Sequence, residues 1–107
     1  MPVTFGNGRQ TVTTGGTAVQ LTTTSTAATK VTITAETDNT GIITVGSSTV
    51  VGALATRQGV PLTAGSSYTI ECKGLEALDI SKIYLDTTVD TDGVTYTYQA
   101  ETWRNQA

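Results

Sequence analysis

The sequence predicts an all-β protein: a single-domain antiparallel β-sandwich, jelly-roll-like, with about eight short strands. Threonine fills 25 of the 107 positions, and a side chain branched at Cβ fits a pleated sheet better than a helix. Apolar and polar residues alternate with a period of two, as in Lys30-Val31-Thr32-Ile33-Thr34-Ala35, which gives a sheet one dry face and one wet face. Clusters of Gly, Asn and Asp divide the chain into short pieces, as tight turns require.

Each piece between two turn clusters contains one candidate strand. The strands are predicted at residues 10–13, 18–23, 30–36, 42–46, 49–55, 67–73, 79–86 and 94–100. Eight short strands at this spacing are typical of a jelly roll or an immunoglobulin-like sandwich. The Cys-Trp-Cys spacing of immunoglobulin domains is absent, which favours the jelly roll.

The alternation phase within each strand selects the side chains that face the core. They are Val19, Leu21, Val31, Ile33, Ala35, Ile43, Val45, Tyr68, Ile70, Cys72, Val94, Tyr96 and Tyr98, completed by Val50, Val51, Leu54, Leu62 and Leu78. Ile80 and Ile83 cannot share one face of a regular strand, so a bulge or bend is predicted around Ser81 and Lys82. The only helix candidate is one turn at residues 75–78.

Neither end of the chain continues the alternating pattern. We therefore assign an extended N-terminal arm to residues 1–10, the β-sandwich to residues 11–100 and a C-terminal tail to residues 101–107. Trp103 and Arg104 lie in this tail, and these two residue types are enriched in interface hot spots. Together with Phe5 and Arg9 of the arm, they are the candidate partner-binding residues.

The residue types that carry catalysis are scarce. The chain contains no histidine, which removes the Ser-His and Cys-His nucleophile pairs and imidazole metal ligands. The nine acidic residues fall on predicted wet faces or in turns, where a shifted pKa is hard to obtain. Cys72 is the only cysteine, and its phase predicts a small buried side chain rather than a reactive thiol. We expect no enzyme activity, no cofactor and no catalytic metal.

The segment from Asp86 to Gly93 has two interpretations. Asp90, Asp92 and Gly93 are arranged like the first half of a calcium-binding loop, but the later bidentate Glu is missing. An Asp-Gly pair between two alternating runs is also a strong hairpin signal. The pattern favours a turn, and calcium binding stays open.

Charge and hydropathy limit the possible partners. The net charge is −3, with only six Lys and Arg, whereas nucleic-acid binding needs a basic stripe. No apolar run approaches the roughly 18 residues that span a bilayer, and the first five residues lack the basic and apolar regions of a signal peptide. We expect a soluble protein, made without a Sec signal, with no nucleic-acid or membrane partner.

Three segments carry a resemblance to a known group of proteins: Gly59-Val60-Pro61-Leu62-Thr63-Ala64-Gly65, then Leu75-Glu76-Ala77-Leu78-Asp79-Ile80-Ser81-Lys82-Ile83-Tyr84-Leu85-Asp86, then Asp92-Gly93-Val94-Thr95-Tyr96-Thr97-Tyr98. Together they resemble small all-β virion proteins of tailed bacteriophages, of the capsid decoration or cement type. In these, a strand of the form D-[IL]-S-K-I-Y-[LV]-D is followed by a closing D-G-V hairpin. The resemblance covers the C-terminal half of the chain.

The resemblance implies a virion protein that is made in the host cytoplasm, binds the outer head surface and stabilises it. It also implies a homotrimer with the major capsid protein as partner. Two alternatives remain: another structural role in the phage neck, tail or baseplate, or a carbohydrate-binding or host-adhesion module in which Tyr84, Tyr96 and Tyr98 line a sugar-binding face. The alternation phase of Tyr96 and Tyr98 favours core packing over that face.

Overall fold

The protein is all-β, with antiparallel sheets and, within the described ranges, no α-helix. A computed structural model describes the backbone of residues 3–72 and 77–101 and the side chains of residues 5–72 and 77–99. The strands are Val3–Thr11 (β1), Val19–Gln20 (β2), Ala27–Ala28 (β3), Lys30–Ala35 (β4), Ile43–Gly46 (β5), Val60–Leu62 (β6), Ser67–Glu71 (β7), Leu78–Asp79 (β8), Tyr84–Thr87 (β9) and Gly93–Glu101 (β10). Short 3-10 turns occupy Leu54–Thr56 and Ile80–Lys82.

The strands form two four-stranded sheets and one short ribbon. Sheet A has the order β1-β10-β4-β7, and sheet B has the order β2-β9-β5-β6. Every neighbouring pair in both sheets is antiparallel. The ribbon pairs β3 with β8. Consecutive strands often belong to different sheets, so several loops cross from one sheet to the other.

One hydrophobic core is shared by the two sheets. In β4 the side chains of Val31, Ile33 and Ala35 are buried while their alternate neighbours are not, which is the predicted period-two pattern. The core cluster joins residues of both sheets: Val12, Leu21, Ala28, Val31, Ile33, Ala35, Ile43, Val45, Leu62, Ile80, Ile83, Leu85, Val94 and Tyr96. Burying both apolar faces in this way is the main source of stability for a sheet protein of this size.

The N-terminal segment is part of the sheet, so its assignment as an arm is wrong. Val3–Thr11 forms β1 and pairs with β10 along its whole length, from Val3 opposite Glu101 to Thr11 opposite Gly93. On its inward side β1 carries Gly6 and Gly8 instead of large apolar residues. The rings of Tyr98 and Tyr96, directly opposite on β10, occupy the space above these glycines. A neighbouring strand therefore supplies the apolar groups that β1 lacks.

Four side chains assigned to the core are neither buried nor packed against it: Val51, Leu54, Tyr68 and Cys72. Tyr68 is 36% exposed on β7, an edge strand of sheet A in the described structure, and the half-buried Cys72 follows that strand. Val51 is half-buried in the loop between β5 and β6. Leu54 is 79% exposed, because it lies in a 3-10 turn within a loop and not in a strand. The bend predicted at Ser81 is confirmed: the 3-10 turn there lets Ile80 and Ile83 both reach the core.

The Asp92-Gly93 pair does not close a hairpin, contrary to the sequence-based expectation. The strands on either side of it belong to different sheets, β9 to sheet B and β10 to sheet A. Thr91 adopts a left-handed φ of 70°, which is unfavourable for a β-branched residue. The Thr91 amide donates a 2.8 Å hydrogen bond to the Val12 carbonyl, and the Val12 amide donates a 2.9 Å hydrogen bond to the Asp92 carbonyl. These two bonds hold the turn against the residue that follows β1.

Loop anchors and a candidate binding groove

Three aspartates around the turn between β9 and β10 hold separate loops together. The Asp86 carboxylate accepts hydrogen bonds from the backbone amides of Gly16 (2.9 Å) and Gly52 (2.7 Å), as well as from Thr87. The other bonds run from Gly15 to Asp90 (2.7 Å) and from Thr40 and Gly41 to Asp92 (3.1 and 2.8 Å). Charge-assisted bonds of this kind are about twice as strong as neutral ones.

These contacts correct the expectation that all the acids lie on wet faces or in exposed turns. Asp86 is 3% exposed and Asp92 is 5% exposed. Asp86 and Asp90 accept hydrogen bonds from neighbouring amides of the loop after β1, and Asp92 accepts from amides of the loop after β4, so backbone donors already occupy these oxygens. Among the side chains of residues 5–72 and 77–99, no group of three or more His, Cys, Asp or Glu could hold a metal ion. The geometry favours the turn interpretation of residues 86–93 over the calcium one.

A fourth aspartate has the same anchoring role near the ribbon. Asp79 accepts hydrogen bonds from the hydroxyl of Ser25 (2.7 Å), from the hydroxyl and amide of Ser81 (2.8 and 3.0 Å) and from the amide of Thr26 (3.2 Å). These bonds favour the ionised form. The Ser25 hydroxyl, followed by the Ser81 hydroxyl and amide, lowers the pKa of Asp79 to about 2.

The loop at residues 47–59, between β5 and β6, covers the outward side of sheet B. Thr44 and Asp86 are cross-strand partners on that side, and both are buried, with exposed fractions of 0% and 3%. The Gly52 amide is bonded to Asp86. Gly59 packs so closely that a Cβ there would lie 2.7 Å from Cγ2 of Thr44. The outward side of sheet B is therefore occupied by the chain's own loop.

This loop presents an apolar tip on a fixed base. Val51 and Gln58 pair across it through two backbone hydrogen bonds of 3.1 and 2.9 Å, and Arg57 donates to the Gly52 carbonyl at 3.1 Å. Leu54 stands at the tip with 79% of its surface exposed. An exposed apolar side chain on a fixed base loses little conformational entropy when it binds, and its burial removes apolar surface from water.

Sheet A presents a different outward face, which we name the hydroxyl face: Thr32, Thr34, Ser67, Thr69, Thr95 and Thr97. Hydroxyl pairs join β4 to β7, at 3.1 Å between Thr32 and Thr69 and at 2.7 Å between Thr34 and Ser67. The strand register places the residues of this side in three rows, Phe5-Gln99-Lys30-Glu71, Asn7-Thr97-Thr32-Thr69 and Arg9-Thr95-Thr34-Ser67. Threonines at irregular sequence positions thus form a regular array.

Three adjoining cavities lie along the hydroxyl face, and we name them together the hydroxyl groove. The first, of about 210 Å³, includes Phe5, Thr32 and Thr97 in its lining. The second, also about 210 Å³, shares Thr32 and Thr97 with the first and adds Thr34 and Thr95. The third, about 410 Å³, is lined by Arg9, Thr34, Ala35, Glu36, Thr37, Asp38 and Thr95. The third cavity shares Thr34 and Thr95 with the second, so the three cavities adjoin one another.

The structure describes two of the four candidate partner-binding residues, Phe5 and Arg9. Phe5 is 69% exposed on β1, at one end of the hydroxyl groove. Arg9 lies at the other end, where its guanidinium is bonded to the Glu36 carboxylate. Trp103 and Arg104 lie outside the described residues. The register therefore places Phe5 and Arg9 on one face, two rows apart.

The tyrosines considered for a sugar-binding face do not share one. Tyr96 is 9% exposed and belongs to the core, and its ring stacks on the half-buried Tyr98 with centroids 6.3 Å apart. Tyr84 lies in sheet B, opposite Gln20 and Gly46. Core packing of Tyr96 follows from its phase, as predicted.

Comparisons with known proteins find no matching family model, no matching curated protein and no matching solved structure. In the described part of the chain, no helix has the length and apolar character needed to cross a membrane.

Proposed function

We propose that this protein is a bacteriophage virion structural protein with a jelly-roll fold, a capsid decoration protein that binds the outer head surface and stabilises it. Its partner is the major capsid protein, it acts as a homotrimer, and it resides on the capsid surface. The proposal begins from the resemblance of the C-terminal half to small virion proteins. Contacts in the fold add independent support.

The strand order of the large sheets supports the jelly roll. With the ribbon β3-β8 set aside, sheet A contains the first, eighth, third and sixth strands in that order, and sheet B the second, seventh, fourth and fifth. Two Greek keys wrapped into a double sheet produce this order. Jelly rolls recur in viral capsid and lectin domains, so the fold suits a particle protein without specifying its partner.

The observation that carries the functional proposal is Leu54 on its fixed loop. A protein that stabilises a shell must transmit force between subunits, so its contact points need rigid support. Leu54 is exposed, while the base of its loop is held by the Gly52–Asp86 bond and the Val51–Gln58 pair. We assign Leu54 to the contact with the major capsid protein. Trp103 and Arg104 stay predicted partner-binding residues.

Homotrimer formation is consistent with the edges of the sheets. In the described structure β1 and β7 are the edge strands of sheet A, and β1 is nine residues long. Long edge strands invite pairing with other chains unless they are covered. A symmetric trimer can cover such edges.

The direct test is reconstitution on empty heads built from the major capsid protein encoded with this chain. We expect purified protein to bind expanded heads at a fixed stoichiometry and to raise the temperature at which the heads rupture. Gel filtration with light scattering should report a trimer. Copurification with tails or baseplates, with no binding to heads, would instead support the alternative role elsewhere in the virion.

A further inference from the structure

We propose that the hydroxyl groove binds a linear, neutral oligosaccharide. This assignment uses only the outward side of sheet A and does not depend on attachment to a capsid. The groove consists of the three adjoining cavities described above, and its floor consists of the threonines of β4 and β10.

The dimensions of the groove fit an extended chain molecule. Its three rows follow alternate residues of β1, from Phe5 through Asn7 to Arg9. Alternate residues of a strand are separated by about 6.7 Å, so the rows span roughly 13 Å. A ligand lying along them contacts β1, β10 and β4 together. The three cavities follow one another from Phe5 to Arg9, and a linear ligand can occupy them in turn.

The chemistry of the floor matches the hydroxyl groups of sugars. Each threonine hydroxyl can both donate and accept a hydrogen bond, which is also true of each sugar hydroxyl. Asn7 and Gln99 add side-chain amides at the groove margin. Sugar binding requires many closely spaced groups that can both donate and accept hydrogen bonds. The cross-strand register places the threonine hydroxyls side by side here.

Phe5 supplies the apolar part of the site. Its ring is 69% exposed and lines the first cavity beside Thr97 and Gln99. A pyranose ring has a C–H face that packs on an aromatic plane, and an exposed aromatic side chain gains free energy when that face covers it. A bound sugar ring thus covers the Phe5 side chain, which the rest of the fold leaves exposed.

The charges around the groove favour a neutral ligand. The threonines and Asn7 of the second cavity carry no charge. At the far end Arg9 is paired with Glu36, and Asp38 also lines that cavity. Lys30 lines the first cavity, so the two cations and two carboxylates of the lining leave the groove without a net charge. A nucleic acid needs a basic stripe, and a protein interface has an apolar centre. The central floor has neither feature.

The test uses a glycan array of linear neutral oligosaccharides, followed by affinity electrophoresis in gels that contain xylan, mannan, laminarin or galactomannan. We expect at least one of these to retain the wild-type protein. Phe5→Ala should weaken binding about tenfold, and Thr97→Val, which keeps the side-chain shape, about fivefold. Melting temperatures of both variants establish that they are folded.

Two controls carry matched substitutions away from the groove. Val89→Ala removes an exposed apolar side chain that does not line the groove, and Thr13→Val changes an exposed threonine after β1. Both should bind like the wild type. The proposal is overturned if no neutral glycan binds, or if Phe5→Ala and Thr97→Val bind normally. Loss of head binding by these two variants, without glycan binding, would assign the face to a protein partner.

Discussion

The Asp86 carboxylate accepts a 2.7 Å hydrogen bond from the backbone amide of Gly52, which lies 34 residues earlier in the chain. Its second oxygen accepts bonds from Gly16 and Thr87. One buried side chain thus fixes the loop that covers sheet B and the loop that connects β1 with β2. Both loops depend on the oxygens of the Asp86 carboxylate, which accept hydrogen bonds and donate none.

We predict that Asp86→Asn lowers the free energy of unfolding by about 1–3 kcal/mol. The asparagine side chain has the same shape, but its NH₂ group cannot accept from the loop amides, so at least one buried donor loses its partner. Chemical denaturation measures the change. Asp38→Asn, at an exposed aspartate, removes the same charge and should stay within about 0.5 kcal/mol. Equal, small changes in both variants would contradict the anchoring role of Asp86.

We predict that Thr44→Val raises the free energy of unfolding by about 1 kcal/mol. Thr44 is completely buried in β5, and its hydroxyl oxygen finds no hydrogen-bond partner among the described residues. Valine has the same branched shape without the polar group and also suits a strand. Thr95→Val, on the exposed hydroxyl face, is the control and should change stability little. Destabilisation by Thr44→Val would mean that the hydroxyl is bonded in solution.

We predict an acid-dependent contribution from Asp79 to stability. Its pKa is lowered from 3.8 to about 2, first by the Ser25 hydroxyl and then by Ser81. A carboxyl group whose pKa is lower in the folded state stabilises the fold fully above its unfolded pKa, and that contribution is lost as the pH falls through the folded value. Between about pH 4 and pH 2, the melting temperature of the wild type should therefore fall more steeply than that of Asp79→Asn. Parallel curves would show that Asp79 titrates normally.

Period-two alternation was sufficient to predict β4 and β10, because each of these strands buries alternate side chains of its own sequence. It was insufficient for β1, where Gly6 and Gly8 occupy the inward positions and leave no apolar pattern. The apolar groups come from Tyr98 and Tyr96 on the paired strand. A single strand's sequence cannot report side chains that another strand supplies.

The burial of Asp86 could not be predicted from the sequence either. In the sequence it is an acid at the end of a strand, which is usually exposed. The loop at residues 47–59 covers it only because sheet B places Thr44 beside it. The hydroxyl face likewise depends on cross-strand register, which the sequence does not specify locally.

We predict that Gly8→Ala destabilises the protein more than Gly6→Ala, with a cost of about 1–3 kcal/mol for Gly8→Ala. An added Cβ at either position would overlap a tyrosine ring, Tyr96 above Gly8 and Tyr98 above Gly6. Tyr96 is 9% exposed and has no room to move, whereas the half-buried Tyr98 can turn outward. Denaturation of the two variants gives the comparison, with Asn7→Ala as control because its side chain faces the other way. The reverse order would contradict the packing described for β1 and β10.

The Leu54→Ala variant tests the proposed contact with the major capsid protein. Leu54→Ala should leave the free energy of unfolding of the isolated protein within about 0.5 kcal/mol, because the side chain is already 79% exposed. On heads it should weaken attachment by about 2 kcal/mol, since burying a leucine side chain contributes about that much free energy. Val89→Ala is the matched control, because Val89 is another exposed apolar loop residue, at 37%. Occupancy on heads and a melting curve are measured for each variant. Full occupancy with Leu54→Ala would remove Leu54 from the capsid contact, and a large fall in melting temperature would mean that the tip packs on its own fold.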